Sequence, residues 1–160
     1  MSKATFYEHF ANKEQCMLAL FDLATEVVQD AMASAARSAP EGDAPARMRA
    51  ATRAFLGTLS DHPDLAQTLL IEIIGAGPGA GRRRDQTMQA FADVLDAENA
   101  AASARGLINR FRSPHDAFTV VGAVTELISR QVRLGEPPDA MDLAPVIDRL
   151  IAGLLAPGSP

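Results

Sequence analysis

Apolar residues recur three, four and seven positions apart along most of the chain, which is the spacing of α-helices that each bury one face. The pattern predicts seven helices, over residues 2–10, 12–39, 44–61, 65–74, 82–105, 114–134 and 142–155. The apolar residues are mainly aliphatic and rich in alanine, which favours closely packed helices over sheets. The predicted fold class is therefore all-α, a helical bundle.

Cap and breaker residues mark the predicted boundaries in the first half of the chain. Asn12 is a good N-cap, and Gln15 three positions later completes a capping box. Asp43 is placed to cap the next helix. The step from His62 to Pro63 ends that helix, because the residue before a proline avoids helical dihedral angles. The helix after Pro63 carries so few polar side chains that we expect it to be buried.

Similar signals divide the second half. Gly106 is expected to end one helix. Ser113 is then a cap, with Pro114 at the first helical position and Asp116 as an acidic residue in the first turn. Asp142 is expected to begin the last helix.

A glycine-rich run, residues 75–81, resembles a phosphate-binding loop superficially, and three arginines follow it. It lacks the Gly-Lys-Ser/Thr ending, no strand pattern precedes it, and Pro78 removes an amide donor. We therefore expect a flexible loop between two helices.

Composition and charge limit the classes of function. The chain has 160 residues, a net charge of −5 and only two lysines, both near the N-terminus, which argues against nonspecific binding of polyanions. The single Cys16 cannot form an internal disulfide, and we expect a buried thiol, with a redox sensor as the alternative. No signal peptide is visible, and no apolar run reaches the roughly 18 residues of a membrane span. We expect a cytoplasmic protein without a membrane partner.

Enzymatic chemistry is not indicated. The three histidines are far apart in sequence, and neither a Ser-His-Asp signature nor a metal-ligand spacing is present. We expect no catalytic residue, no metal and no cofactor.

The N-terminal residues carry the most specific motif. Residues 2–14 resemble the recognition helix and following turn of the TetR-type (tetracycline repressor family) transcriptional regulators, a pattern of Ser-x-x-Thr-aromatic-Tyr-x-His-Phe-x-x-Lys-Glu. The resemblance extends more loosely over the remaining helical chain. It implies a remnant of a helix-turn-helix DNA-binding domain over residues 1–12. Residues 13–160 then form a TetR-like helical domain for ligand binding and dimerisation.

In this family two further helices precede the recognition helix, so the resemblance implies a sequence truncated at its N-terminus. A misassigned start codon is one explanation, because a GTG codon is read as Met at a start and as Val elsewhere. Natural truncation and loss of residues from this sequence are the alternatives. Reading the upstream coding sequence would decide among them.

The resemblance also implies which residues meet DNA. A recognition helix places its first residues near base edges and its flanking positions on phosphate. The expected DNA-binding residues are Ser2, Lys3, Ala4, Thr5, Tyr7, His9 and Lys13. The alternative for the aromatic side chains and for His9 is packing against neighbouring helices, and for Phe6 and Phe10 we favour that interpretation.

By position in the family, the effector pocket lies among the helices that follow. The candidates are Leu20, Phe55, Leu59, Leu69, Glu72, Met88, Phe91 and Leu95. The apolar members are equally explicable as core, and together they favour a small apolar effector. Glu72 lies within an apolar run, so we expect a buried carboxylate that either pairs with an arginine or lines the cavity.

The last two predicted helices are more apolar than one core requires, which suits an isologous homodimer interface of four helices. The expected interface residues are Phe118, Val121, Val124, Ile128, Val146, Leu150 and Leu154. The resemblance implies a ligand-responsive transcriptional repressor that binds palindromic double-stranded DNA as a homodimer. The alternative is a helical dimerisation and ligand-binding module without DNA-binding activity.

Overall fold

The computed structural model describes Phe10 and residues 12–156, which form six α-helices and two short 3-10 helices and contain no strand. The all-α fold class is thus confirmed for this part of the chain. The α-helices are α1 (Lys13–Ser38), α2 (Ala44–Asp61), α3 (Pro63–Leu70), α4 (Pro78–Ala104), α5 (Asp116–Leu134) and α6 (Ala144–Leu155). The 3-10 helices are Glu72–Gly75 and Ala140–Leu143.

The helices α1 and α2 form an antiparallel pair joined by a short turn. The predicted caps of both helices are confirmed. The side chain of Asn12 accepts a hydrogen bond from the backbone N–H of Gln15 at 2.8 Å, and Asp43 accepts one from Ala46 at 2.8 Å. Each cap supplies a partner to an N–H group that has none within its helix.

The chain breaks at Pro63 as predicted, but α3 is shorter than expected. It ends at Leu70, and the backbone tightens into the 3-10 helix that follows. Because a 3-10 helix has three residues per turn rather than 3.6, the apolar spacing of α3 does not continue after Leu70, and Ile73 is buried whereas Glu72 and Ile74 are exposed. Ile74 is 61% exposed, so the expectation that this whole segment is buried is wrong at its end.

The predicted loop at residues 75–81 is also wrong in its second half. Helix α4 begins at Pro78, four residues earlier than expected, and Gly77 is its N-cap. Proline suits the first turn of a helix, where its missing N–H would have no intrahelical partner. The glycines that follow are therefore part of a helix.

Two later boundaries are shifted by a few residues. Helix α5 begins at Asp116 rather than at Pro114, and the Asp116 carboxylate accepts hydrogen bonds from the backbone N–H groups of Arg112 and Ser113. The final helical segment is capped by Asp139, which accepts from the backbone N–H of Met141, and not by Asp142. In both cases an aspartate side chain accepts hydrogen bonds from backbone N–H groups in a tight turn near the predicted start of the helix.

The main core joins five helices. Its buried residues come from α1, α2, α3, α5, α6 and the second 3-10 helix, and they are Val28, Leu56, Leu59, Ala66, Leu70, Ile128, Leu143, Ala144 and Ile147. A smaller cluster of Phe21, Ile73 and Ala80 joins α1 to the first turn of α4. Helix α4 packs mainly against α5 and touches α1 through its first two turns. The space between α1, α2 and the rest of α4 is therefore only partly filled.

The connection between α4 and α5 is held by a fully buried asparagine. The Oδ1 atom of Asn99 accepts from the backbone N–H of Phe111 at 2.9 Å and from Nη1 of Arg110 at 2.6 Å, while its Nδ2 donates to the carbonyl of Asn109 at 3.0 Å. Arg110 also binds both carboxylate oxygens of Asp96 at 2.7 Å. These bonds give an irregular segment a defined path against α4.

Candidate ligand cavity and its connection to the N-terminal segment

A cavity of about 610 Å³ is lined by residues of all six α-helices, with α3 contributing only its last two. Its walls are mainly aliphatic, aromatic and methionine side chains, and its volume is in the range of small-molecule sites. On α1 the lining positions run from Phe21 to Arg37, and on α4 they run from Arg84 to Ala102, with Arg105 just after the helix. The cavity is thus elongated along two helices.

Five of the eight predicted pocket residues line this cavity: Phe55, Leu69, Met88, Phe91 and Leu95. The other three do not. Leu20 is 47% exposed on the outer side of α1, and Leu59 is buried in the main core. Glu72 is exposed, so the expectation of a buried carboxylate is wrong, because the 3-10 helix carries this side chain to the surface.

The face of α1 that meets the cavity carries four lining residues that were not among the predicted ones. Phe21, Thr25, Val28 and Met32 line it, and they follow one another at intervals of three and four. This signal was present in the sequence, but the apolar stripe of α1 is wide. Leu20 lies on the edge of that stripe that faces solvent.

A carboxylate from the first turn of α1 caps the first turn of α4. The Oε1 atom of Glu14 accepts hydrogen bonds from the backbone N–H groups of Gly79 at 2.7 Å and Ala80 at 3.2 Å. The positive end of the helix dipole favours a negative charge at this place. The glycine-rich run therefore does bind an anionic group, but that group belongs to the chain itself.

The glycines allow this close approach. A Cβ atom at Gly77 would lie 2.5 Å from Glu14 Oε1, and one at Gly79 would lie 2.8 Å from it. Two turns further along α1, Asp22 accepts from Nε of Arg83 at 2.7 Å and from Nη2 at 2.9 Å. Hydrogen bonding to Asp22 raises the pKa of the Arg83 guanidinium above its ordinary value. The beginning of α1 is thus tied to the beginning of α4 at two points.

The expected DNA-binding residues precede Glu14 in the sequence. Lys13 is the first residue of α1 and its side chain is exposed. Ser2, Lys3, Ala4, Thr5, Tyr7 and His9 lie outside the described residues, as does most of the predicted helix over residues 2–10. Phe10 is described and is half-buried, and Cys16, expected to be buried, is half-buried in the first turn of α1.

The expected interface residues separate into three groups. Phe118 and Val146 are 41% and 38% exposed, and Leu150 and Leu154 are half-buried. Val121 and Val124 line the cavity instead. Ile128 is fully buried in the main core beside Ile147, so its assignment to an interface is corrected: α5 turns this side chain towards its own chain.

Residues 12–156 contain no group of three or more His, Cys, Asp or Glu side chains placed to hold a metal ion. In the same part of the chain, no helix is long and apolar enough to cross a membrane. Comparisons with family models, with curated proteins and with solved structures gave no match.

Proposed function

We propose that this protein is a ligand-responsive transcriptional repressor of the TetR type. One observation carries the proposal: α1 begins at Lys13, within the motif that resembles a recognition helix and its turn, and the same helix lines the cavity from Phe21 to Arg37. A ligand that occupies the cavity therefore contacts the helix that directly follows the proposed DNA-reading residues. The resemblance over residues 2–14 supports DNA binding as the regulated activity. The cavity supports a small molecule as the signal.

The proposed mechanism is a shift between two arrangements of α1. A ligand can move this equilibrium only if it prefers one spacing between the helices that surround it. The contacts of Glu14 and Asp22 with the start of α4 would pass a change at the cavity wall to the first turn of α1. In a homodimer this would change the distance between two recognition helices, which must match a half-site spacing of about 34–36 Å.

Replacing Lys13 by alanine tests the proposed phosphate contact. Loss of one phosphate contact is expected to reduce the slope of log K against log salt concentration by about one. The measurement is a gel-shift or anisotropy titration at several salt concentrations on a palindromic fragment from the promoter of the protein's own gene. Arg49→Ala is a suitable control, because Arg49 is an exposed cation on α2 and is not part of the motif.

The same titration separates the proposal from its alternative. It is carried out on this chain and on a chain extended by any in-frame residues encoded upstream of Met1. Specific binding by either, weakened by Lys13→Ala and not by Arg49→Ala, supports the repressor. Absence of specific binding by both chains would favour the dimerisation and ligand-binding module.

The proposed homodimer uses the outer faces of α5 and α6, where Phe118 and Val146 are exposed. We expect Val146→Asp to weaken dimerisation at least about tenfold, because an unpaired charge at an interface costs more than the lost apolar contact. Sedimentation or light scattering across a dilution series measures this. Leu23→Asp places the same charge at an exposed leucine of α1 and should leave the dimer unchanged. Equal effects of both variants would contradict the assignment.

A further inference from the structure

The cavity differs from the rest of the molecule in the sign of its charge. The chain has 20 acidic and 15 basic residues, so it is acidic overall. The charged residues that line the cavity are Arg37, Arg47, Arg84, Arg105 and Glu98, which give the lining a net charge of +3. Arg37, Arg105 and Glu98 are exposed, so these charges lie at the rim of the cavity. An excess of arginine around a mainly apolar cavity points to an anionic group on its ligand.

Three of these arginines lie at one end of the cavity. Arg37 is in the last turn of α1, Arg47 is in the first turn of α2, and Arg105 follows the last residue of α4. Nη2 of Arg47 is 3.9 Å from Oε2 of Glu98, which shows that the start of α2 and the last turns of α4 approach each other here. We call Arg37, Arg47 and Arg105 the basic mouth.

The guanidinium groups of the cavity are poorly paired. The contact between Arg47 and Glu98 is at the outer limit of an ion pair, and within residues 12–156 no carboxylate lies within 4.0 Å of Arg37, Arg84 or Arg105. Five of the nine arginines elsewhere in this part of the chain have a carboxylate partner within that distance. Donors of the basic mouth are therefore available to a ligand.

The rest of the cavity suits an extended apolar body. From Phe21 to Arg37 the lining follows about 24 Å of helix axis. The walls between these positions include Met32, Phe91 and Val124. A compact anion alone would leave this apolar surface uncovered, whereas a ligand with a long apolar body would cover it.

We propose that the ligand is an anionic amphiphile, with a carboxylate or phosphate headgroup at the basic mouth and an unbranched apolar body along α1 and α4. The planar guanidinium fork binds either headgroup through paired N–H donors. This proposal rests on the cavity being the effector site of the proposed regulator. Arg84 lies in the second turn of α4, about 31 Å of helix axis from Arg105, and is not part of the headgroup site.

Isothermal titration calorimetry with decanoate, decyl phosphate and 1-decanol at pH 7.5 tests the ligand class. The three probes share one apolar chain and differ in headgroup. We expect at least one of the two anions to bind about tenfold more tightly than 1-decanol, with a preference that falls as salt is added. Equal affinities for all three probes, or binding of none, would overturn the proposal.

Variants test the position of the headgroup. Arg47→Gln should remove most of the preference for the anion and leave the affinity for 1-decanol unchanged. Glu98→Gln should raise the affinity for the anion about threefold, because it removes the acid that competes for Arg47. Arg49→Gln, an exposed arginine on the same helix as Arg47, should change neither affinity.

Arg84→Gln serves as the control within the cavity. If it abolishes the preference while Arg47→Gln does not, the headgroup lies at the other end and the assignment to the basic mouth is wrong. The result is also distinguishable from a failure of the proposed regulator. Selective binding of the anion without specific DNA binding would retain this inference and contradict the repressor.

Discussion

Replacement of Gly77 by alanine is expected to lower the free energy of unfolding by about 2–3 kcal/mol. Two effects add at this position. The backbone has φ +137° and ψ 174°, a region that is essentially restricted to glycine. The new Cβ would also lie 2.5 Å from Glu14 Oε1 and would push the carboxylate away from the N–H groups of Gly79 and Ala80. The measurement is urea unfolding followed by circular dichroism at 222 nm.

Gly81→Ala provides a matched control in the same helix. A Cβ at Gly81 meets nothing within 4 Å, so the substitution is expected to stabilise α4 by up to about 1 kcal/mol. The double variant Gly77→Ala with Glu14→Ala separates the two effects, since it removes the close contact and keeps the backbone strain. Equal stabilities of the Gly77→Ala and Gly81→Ala variants would contradict the described start of α4.

Asn99→Leu is the second substitution with a large expected effect, about 2–3 kcal/mol of destabilisation. Asn99 is 1% exposed. Its side chain accepts hydrogen bonds from the backbone N–H of Phe111 and from Nη1 of Arg110, and it donates one to the carbonyl of Asn109. Leucine has a similar size but leaves the buried N–H of Phe111 without a partner. Gln86→Leu, at an exposed position of α4, should change the stability by less than about 0.5 kcal/mol. An equal effect of both variants would argue against this role of Asn99.

The same network predicts a dependence on pH. Hydrogen bonding to Arg110 lowers the pKa of the Asp96 carboxyl in the folded chain below its ordinary value. The bond between Asp96 and Arg110 therefore adds to the free energy of unfolding above the pKa of Asp96 in the unfolded chain, which is about 3.9. This contribution is lost as the pH falls from there through the lower pKa of Asp96 in the folded chain. Asp96→Asn should reduce the acid sensitivity of unfolding in this range.

The boundaries that local chemistry determines could be predicted from the sequence. Asn12, Asp43 and Pro63 act on backbone groups within four residues, and each lies where expected. The start of α4 could not be predicted in this way. It depends on a carboxylate, Glu14, that lies 65 positions before Gly79 in the sequence.

The candidate site could be predicted only in part, because core and cavity residues share one pattern. Phe55 and Leu59 lie one turn apart on α2, yet the first lines the cavity and the second belongs to the main core. Spacing along a helix shows on which face of the helix a side chain lies. It does not show whether a neighbouring helix packs against that side chain or leaves a space beside it. The positive charge of the cavity lining could not be predicted either, since residues such as Arg47 and Glu98 come close together only in the folded chain.

Because α1 is long, a small tilt of this helix displaces one of its ends by a large distance. With 26 residues it extends for about 39 Å, and most of its cavity-lining residues are in the half that is remote from Lys13. A tilt of about 5° around its last residue would displace its first residue by about 3.4 Å, which is the rise of one base pair. Under the proposed function, a ligand that alters the helix spacing by a fraction of a bond length near the last turn of α1 would therefore be enough to shift the proposed DNA-reading residues relative to their DNA site.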